Sequence, residues 1–401
     1  MHPVPPFRRP RPCPPRPDRR RVLAAIAAGA ALPVLAAGPA PLRVGPGRTF
    51  ERIADAARAA RDGDVVEVDA GEYRGDVAVF TQRRLTLRAA GGRVRLVADG
   101  RAAEDKAIWV LRGGDFEVEG FDFEGCRVDG RNGAGIRFER GRLVARDCGF
   151  FANEMGLLTS NDPEAELAVE GCEFARNLRP DGHNHQLYAG RIGSLLVRGC
   201  WLHHGTIGHL LKSRAALNRV LHNRLTDEPG GRSSYELEFP DGGVALVVGN
   251  VVQQSAATEN PILVSFGAEG YRGPRHALVM VHNTLVDERG GGSRFLRVAP
   301  GATVELRALN NLLCGDAEAL EAAGPGEYRH NPRVDRRAFA DAAARDYRPA
   351  SARAVPADAV DSGRFDGQTL APRFEYRHPC RLAPLDGAAR RPGALQQPAH
   401  A

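Results

Sequence analysis

Lysine is almost missing from this chain of 401 residues, which carries 53 arginines and only two lysines, Lys106 and Lys212. Arginine stays charged under all ordinary conditions, whereas a lysine ammonium can lose its proton. Lys212 is therefore a candidate base, a candidate clamp for a substrate carboxylate, or one half of an exposed ion pair. Aromatic residues are scarce as well, with two tryptophans, seven tyrosines and sixteen phenylalanines. Several sit at apparent core positions, which leaves little for the stacking platforms of a purely glycan-binding surface. Basic runs are absent after Arg21: Met1 to Arg21 holds seven arginines and one aspartate, and the remainder balances at 48 basic against 48 acidic side chains. A nucleic-acid interface needs a basic patch or stripe, so the net charge of +6 belongs to the leader and no nucleic-acid partner is expected. Cysteine pairing is lacking too, for the seven cysteines show no CxxC pair and no zinc-like spacing.

Residues 1–37 read as an export signal. A Pro/Arg-rich segment ends in Asp18-Arg19-Arg20-Arg21, an apolar run follows from Val22 to Ala37, and Ala36 and Ala37 offer small residues for cleavage. The run is too short for a comfortable membrane span. The paired arginines ahead of it resemble a twin-arginine export signal, the alternatives being an ordinary secretory signal or a retained anchor. No other stretch is long and apolar enough to cross a bilayer. A periplasmic or secreted protein, free of the membrane once the signal is removed and acting as a monomer, is the expectation.

Leu42 to Tyr73 reads as a short strand, an amphipathic helix over Glu51 to Ala60, and a strand beginning Val65-Val66-Glu67-Val68. Thereafter short alternating strands and glycines dominate, and a degenerate unit recurs. Its first residues are Phe121, Cys148, Cys172, Cys200, Asn223, Asn250, Asn283 and Asn311, separated by 27, 24, 28, 23, 27, 33 and 28 positions. Intervals of this size signal a solenoid, and one coil of a three-strand β-helix takes about as many residues. The expected fold is all-β, a single-stranded right-handed parallel β-helix over residues 42–315 with a short N-terminal capping helix. In such a stack Asn223, Asn250, Asn283 and Asn311 hydrogen-bond along a ladder at ~4.8 Å, with Cys148, Cys172 and Cys200 as small buried thiols in the same column. Residues 316–401 read as an irregular segment packing on the solenoid, with short helices over Glu318 to Ala323 and Asp335 to Arg345 and a disordered tail of about 15 residues.

Strand alternation places the chemistry. With Leu187, Leu211, Leu237 and Leu263 as inward anchors, Tyr188, Lys212, Glu238 and Val264 point outward, and Gln186, Leu210, Glu236 and Ile262 form a second outward row. Tyr188, Lys212 and Glu238 then stack one strand apart. A slip of one residue would bury Lys212, which favours this register. His183, His185, His203, His204, His209 and His222 crowd into the same region. His185, three residues before Tyr188, is the best candidate base, and His209 is expected inward as a core residue. A divalent site shared with Asp181 and Glu238 is the other reading of these histidines. Arg214 suits bidentate capture of an acidic sugar. Tyr235, Glu236 and Glu238 are candidate substrate contacts, and Glu259, Asn260, Glu269 and Tyr271 extend the cleft.

Gly63-Asp64-Val65-Val66 through Asp69-Ala70-Gly71-Glu72-Tyr73 resembles the N-terminal cap and first coil of the pectate-lyase-like superfamily. Arg373-Phe374-Glu375-Tyr376-Arg377-His378-Pro379 resembles the C-terminal packing segment of many β-helix proteins. Gly208-His209-Leu210-Leu211-Lys212-Ser213-Arg214 with Ser234-Tyr235-Glu236 is similar to a bacterial exported subgroup described by its repeats. Polygalacturonase and alginate-epimerase signatures are absent. The Lys-Ser pair is similar to that of chondroitinase-B-like and alginate lyases, without their Arg-His-Gly. The resemblance implies a carbohydrate-active protein on an acidic polysaccharide, foremost a lyase acting by β-elimination. Arg214 would neutralise the carboxylate, Lys212 or His185 act as base, and Tyr188 as acid. A C5-epimerase, an inverting hydrolase using Glu236 and Glu238, and a non-catalytic glycan-binding solenoid are the alternatives. The residues name no certain cofactor, and calcium is compatible.

Overall fold

A computed structural model describes residues 40–179 and 181–399; the segment read as an export signal lies outside them. The chain is a parallel β-helix with a short N-terminal helix. Two walls merge into one 21-stranded sheet, because the long strands Val65–Arg74 and Arg84–Val97 run around the corner between them. The third wall, called the front here, is a separate sheet of nine strands. It runs through Ala78–Phe80, Ala107–Leu111, Ala134–Phe138, Met155–Thr159, His185–Ala189, His209–Ser213, Leu237–Phe239, Ile262–Phe266 and Arg294–Val298.

The first coil would expose an open apolar end without a cap. Helix Ile53–Ala59 covers it with Ile53, Ala56 and Ala57. Its termini are satisfied by the coil it covers: Ile53 and Ala54 N–H groups donate to Asp76 at 2.6 and 3.0 Å, and Gln82 donates to the carbonyls of Ala57 and Ala60 at 2.9 and 3.0 Å. These contacts supply the caps that a helix of this length lacks on its own. Inside, Trp109 is ringed edge-on by Phe80, Phe121 and Phe123, and Phe123, Phe150 and Phe174 stack from coil to coil at 5.2 and 4.5 Å.

The corner between the two merged walls holds the polar ladder. Asn250, Asn283 and Asn311 each accept from the backbone N–H and side-chain amide of the asparagine one coil earlier, at 2.9 to 3.0 Å. Asn331 adds a further rung. Cys148 and Cys172 N–H groups donate to the thiols of Cys172 and Cys200, and the Cys200 N–H to Asn223. The six described cysteines are buried and unbridged. Asn250→Ala would orphan the Asn223 N–H and the Val220 carbonyl, both buried. An expected loss on the order of 3 kcal/mol follows, to be read as a lowered urea midpoint.

The solenoid runs past the boundary expected at 315, since Glu327–Arg329 and Arg333–Val334 pair onto the last full coil. The expected helix over Asp335 to Arg345 is only a 3-10 turn at Arg336–Ala338, because Phe339 enters a hairpin with Asp346–Pro349 and packs edge-on against Tyr347 at 5.2 Å. The helix expected over Glu318 to Ala323 is the 3-10 turn Leu320–Ala323. The expected disordered tail is instead ordered through residue 399: Gly393 N–H donates to Asn310 O at 2.8 Å and Ala394 N–H to Thr284 at 3.0 Å. This arm covers outward apolar residues of the last coils. Phe365 and Leu370 pack on Leu246, Val248, Val279 and Val281, while Phe339, Tyr347 and Val355 pack on Val251, Val286 and Leu312.

Candidate active site on the front wall

Register on the front wall pairs Leu187 with Leu211 and Leu237, and Tyr188 with Lys212 and Glu238. The next partners are Val264 and Ser265. Val264, expected outward, is therefore the inward anchor, and Leu263 is not. The cause is a two-residue inward step repeated in these strands: Ile108 with Trp109, Leu210 with Leu211, and Leu263 with Val264 are all buried in the core. Simple alternation fails there, and Gln186 and Glu236 follow the same step inward instead of facing out. Gln186 is fully buried and accepts from Asn177 N–H and amide at 3.1 and 2.7 Å.

Glu236 is fully buried, and neither carboxyl oxygen has a hydrogen-bond partner. Burial, and then the nearby Asp227, push its carboxyl well above the usual range. It therefore cannot pair with the outward Glu238 across a substrate, and the hydrolase reading loses one of its two acids. A raised carboxyl holds its proton over a pH range in which the unfolded chain has released it, so this group costs stability as pH rises above about 4.3. Glu236→Leu, which matches Leu210 and Leu263 on neighbouring coils, is expected to stabilise by about 1–3 kcal/mol at neutral pH. The gain should shrink towards acid pH, as urea melts of both chains across pH would show.

Around Lys212 the front wall forms one ionic network. Its ammonium donates to Glu269 at 2.6 Å and lies 3.1 Å from Glu238. Arg214 donates to Tyr188 Oη at 3.0 Å and to Asp241 and Glu269, and Arg191 reaches Asp241 at 2.7 Å. Burial would raise the Glu269 carboxyl, but Lys212 and Arg214 outweigh it and pull it down to about 2. Glu238, despite its burial, is likewise held below the usual range by His209 and Lys212.

His209, expected in the core, belongs to the site. Its Nδ1 lies 3.0 Å from Glu238 Oε2, at an angle outside hydrogen-bond geometry, and its ring meets Tyr235 edge-on at 4.9 Å. Gly208 lets the chain make this turn, since an added Cβ would collide with the Asn184 carbonyl. His185 stacks on Tyr188 at 5.4 Å and lies 4.6 Å from the His209 ring. Burial, with His209 and the cations Lys212 and Arg214 behind it, lowers His185 well below the ordinary histidine value. Its Nδ1 accepts the His209 N–H at 3.3 Å, so the neutral ring carries its proton on Nε2 and presents a donor. That tautomer removes His185 from the role of base.

Beside Tyr188 and His185 opens a cleft of about 550 Å³, lined also by Arg137, Leu158, Asn161 and His183. Arg137 stands in the Tyr188 column two strands upstream, through Leu158. It has no carboxylate partner among the described residues, its Nε is buried without a hydrogen bond, and Ser160 at 3.3 Å is the side-chain acceptor it reaches. Burial lowers its guanidinium from the ordinary value. Sequence reasoning missed it because the strand Ala134–Phe138 carries none of the neighbouring histidines; extending the anchor column back through Leu157 to Ile136 would have found it.

The remaining candidates lie elsewhere. Glu259 is exposed and shares no hydrogen bond or ion pair with the network among the described residues. Asp181 is paired with Arg131 and Arg179, and His203 with Glu173 at 3.2 Å on another wall. Among the described residues no group of three or more His, Cys, Asp or Glu side chains is arranged to hold a metal ion. The front carboxylates Glu238, Glu269 and Asp241 are each taken up by cations, so they do not fit calcium. Among the described residues no helix is long and apolar enough to cross a membrane.

No family model matches the sequence, and no curated protein sequence matches it. Two solved structures are similar to part of the chain. One is the crystal structure of pectate lyase Pel9A, 12% identical with a TM-score of 0.46, covering 76% of this chain and 84% of that one. The other is ORF18 of Geobacillus virus E2, 14% identical with a TM-score of 0.46, covering 68% and 53%. Neither likeness bears on the chemistry of the front wall.

Proposed function

We propose that the protein is an exported, monomeric polysaccharide lyase that cleaves a uronic-acid glycan by β-elimination on the front wall. The observation that carries this reading is that Tyr188, bonded to Arg214, lines one cleft with Arg137, which has no carboxylate partner among the described residues, while His209, Lys212 and Glu238 stand on the next two strands of the same wall. Arg137 receives the substrate carboxylate, because Arg214 is already committed to Tyr188, Asp241 and Glu269. The Glu238 carboxylate, 3.0 Å from Nδ1, steadies the His209 ring by charge rather than by a hydrogen bond, which leaves Nε2 to take the C5 proton as general base. As that proton leaves, its electron pair forms the C4–C5 double bond and the C4–O bond breaks. Tyr188 accepts a hydrogen bond from Arg214 through its oxygen, so its own O–H is free to protonate the departing oxygen. Lys212, between two carboxylates, anchors Glu238 and is not the base.

Incubation with alginate, pectate and glycosaminoglycans, followed by ultraviolet absorbance of the unsaturated uronate, tests the reading. At least one of them should yield the chromophore. Silence with all three classes would overturn the assignment for those substrates.

A further inference from the structure

The front-wall column is open at one end only. Arg137 and Tyr188 are half-buried and line the cleft of about 550 Å³. The next three residues of the column, Lys212, Glu238 and Ser265, are 9, 3 and 0% exposed. Ser265 stands between Val264 and Phe266, both in the core, so it faces outward. Its burial means that the wall is covered there. Residues 267–275, between the strands Ile262–Phe266 and Ala277–Val281, form a strap that leans back over the preceding coil. The N–H groups of Gly267, Glu269 and Arg272 donate to the carbonyls of Phe239, Pro240 and Asp241 at 2.8, 3.0 and 2.9 Å, and Tyr271 Oη donates to the Ala299 carbonyl at 2.5 Å. Gly267 permits the fold-back: its φ is +77°, and an added Cβ would lie 2.3 Å from the Tyr271 ring. From this strap Glu269 reaches one coil further, where its carboxylate takes Lys212 at 2.6 Å and also Arg214.

A polyuronate running along the whole column would need cations on the far side of Tyr188. Lys212 and Arg214 stand there, but Glu269 already supplies the carboxylate they would bind. The open part has the volume of a small-molecule site, enough for a few sugar residues and not for a chain crossing the wall. We propose that the Glu269 strap makes the front cleft a chain-end site, which accepts the terminal residues of an acidic glycan and excludes its internal stretches. The inference rests on the front-wall reading for the glycan, and its tests separate the two.

Binding is measured on the full chain carrying Tyr188→Phe, so that the glycan stays uncut during the titration. Calorimetry with oligogalacturonates and oligomannuronates of defined lengths should give one protein per glycan chain at every length, because each chain has a single end of the right kind. Adding Glu269→Ala removes the tip of the strap, while Lys212 keeps Glu238 and Arg214 keeps Asp241. Long chains should then carry more than one protein, and matching thermal melts show that the variant is folded. The proposal is overturned if the count rises with length while Glu269 is present, if it stays at one after Glu269→Ala, or if no oligomer binds. With the parent chain, the shortest unsaturated fragments should appear first while the polymer stays long and viscous. Unsaturated fragments of every length from the start would overturn the proposal and leave the lyase reading standing. One protein per chain with no unsaturated product would do the reverse.

Discussion

Tyr188→Phe is expected to slow the release of unsaturated ends from an acidic glycan by roughly a hundred- to ten-thousand-fold, the usual contribution of a positioned acid or base. The fold should be unaffected. The ring still stacks on His185 at 5.4 Å. What disappears is the hydroxyl that receives Arg214 Nε at 3.0 Å and donates towards the substrate. Arg214 keeps Asp241 and Glu269, so no buried charge is stranded. Initial rates by ultraviolet absorbance, with thermal melts of both chains, separate the two effects. An unchanged rate would remove Tyr188 from the chemistry; a lowered melting point with a proportionate loss of rate would make its role structural.

Deleting residues 335–401 should cause the largest loss of stability. The arm buries Phe339, Tyr347, Val355, Phe365 and Leu370 against the solenoid, and each such side chain contributes about 1.5–3 kcal/mol. The sum is on the order of 10 kcal/mol, comparable with the total stability of an ordinary domain. Deletion would also uncover the row Val248, Val281, Leu309 and the cluster Val251, Val286, Leu312, which are apolar on the outside of their walls. Insolubility, or strong binding of a hydrophobic dye with loss of a cooperative melt, is the expected outcome. A soluble truncated chain that melts with the parent would show that the arm is only an appendage.

The solenoid was legible because its signal is repeated: intervals of 23 to 33 residues marked by one small or amide residue are hard to produce in any other fold. The ladder followed from the same letters, since the geometry of stacking asks one thing of every coil. The column Tyr188, Lys212, Glu238 was legible from the leucine anchors and a rule of alternation. That rule stops at the two-residue inward step, so Leu263 was mistaken for the anchor in place of Val264, and Glu236 was placed outside when it lies in the core. His209 was misplaced for the related reason that a residue at the strand's start, after Gly208, escapes the alternation. The arm was read less well because its order comes from contacts with distant coils. Gly393 to Asn310 and Phe365 to Val279 leave no local periodicity to find.

The mass of the products released from an acidic glycan tests the central claim most directly. β-Elimination on the front wall requires new non-reducing ends that are unsaturated, each fragment that bears one being lighter by one water than the corresponding hydrolysis product. Fragments of that mass, made by the parent chain and not by Tyr188→Phe, are the expected result. Saturated fragments, or intact polymer from every uronic-acid glycan offered, would contradict it.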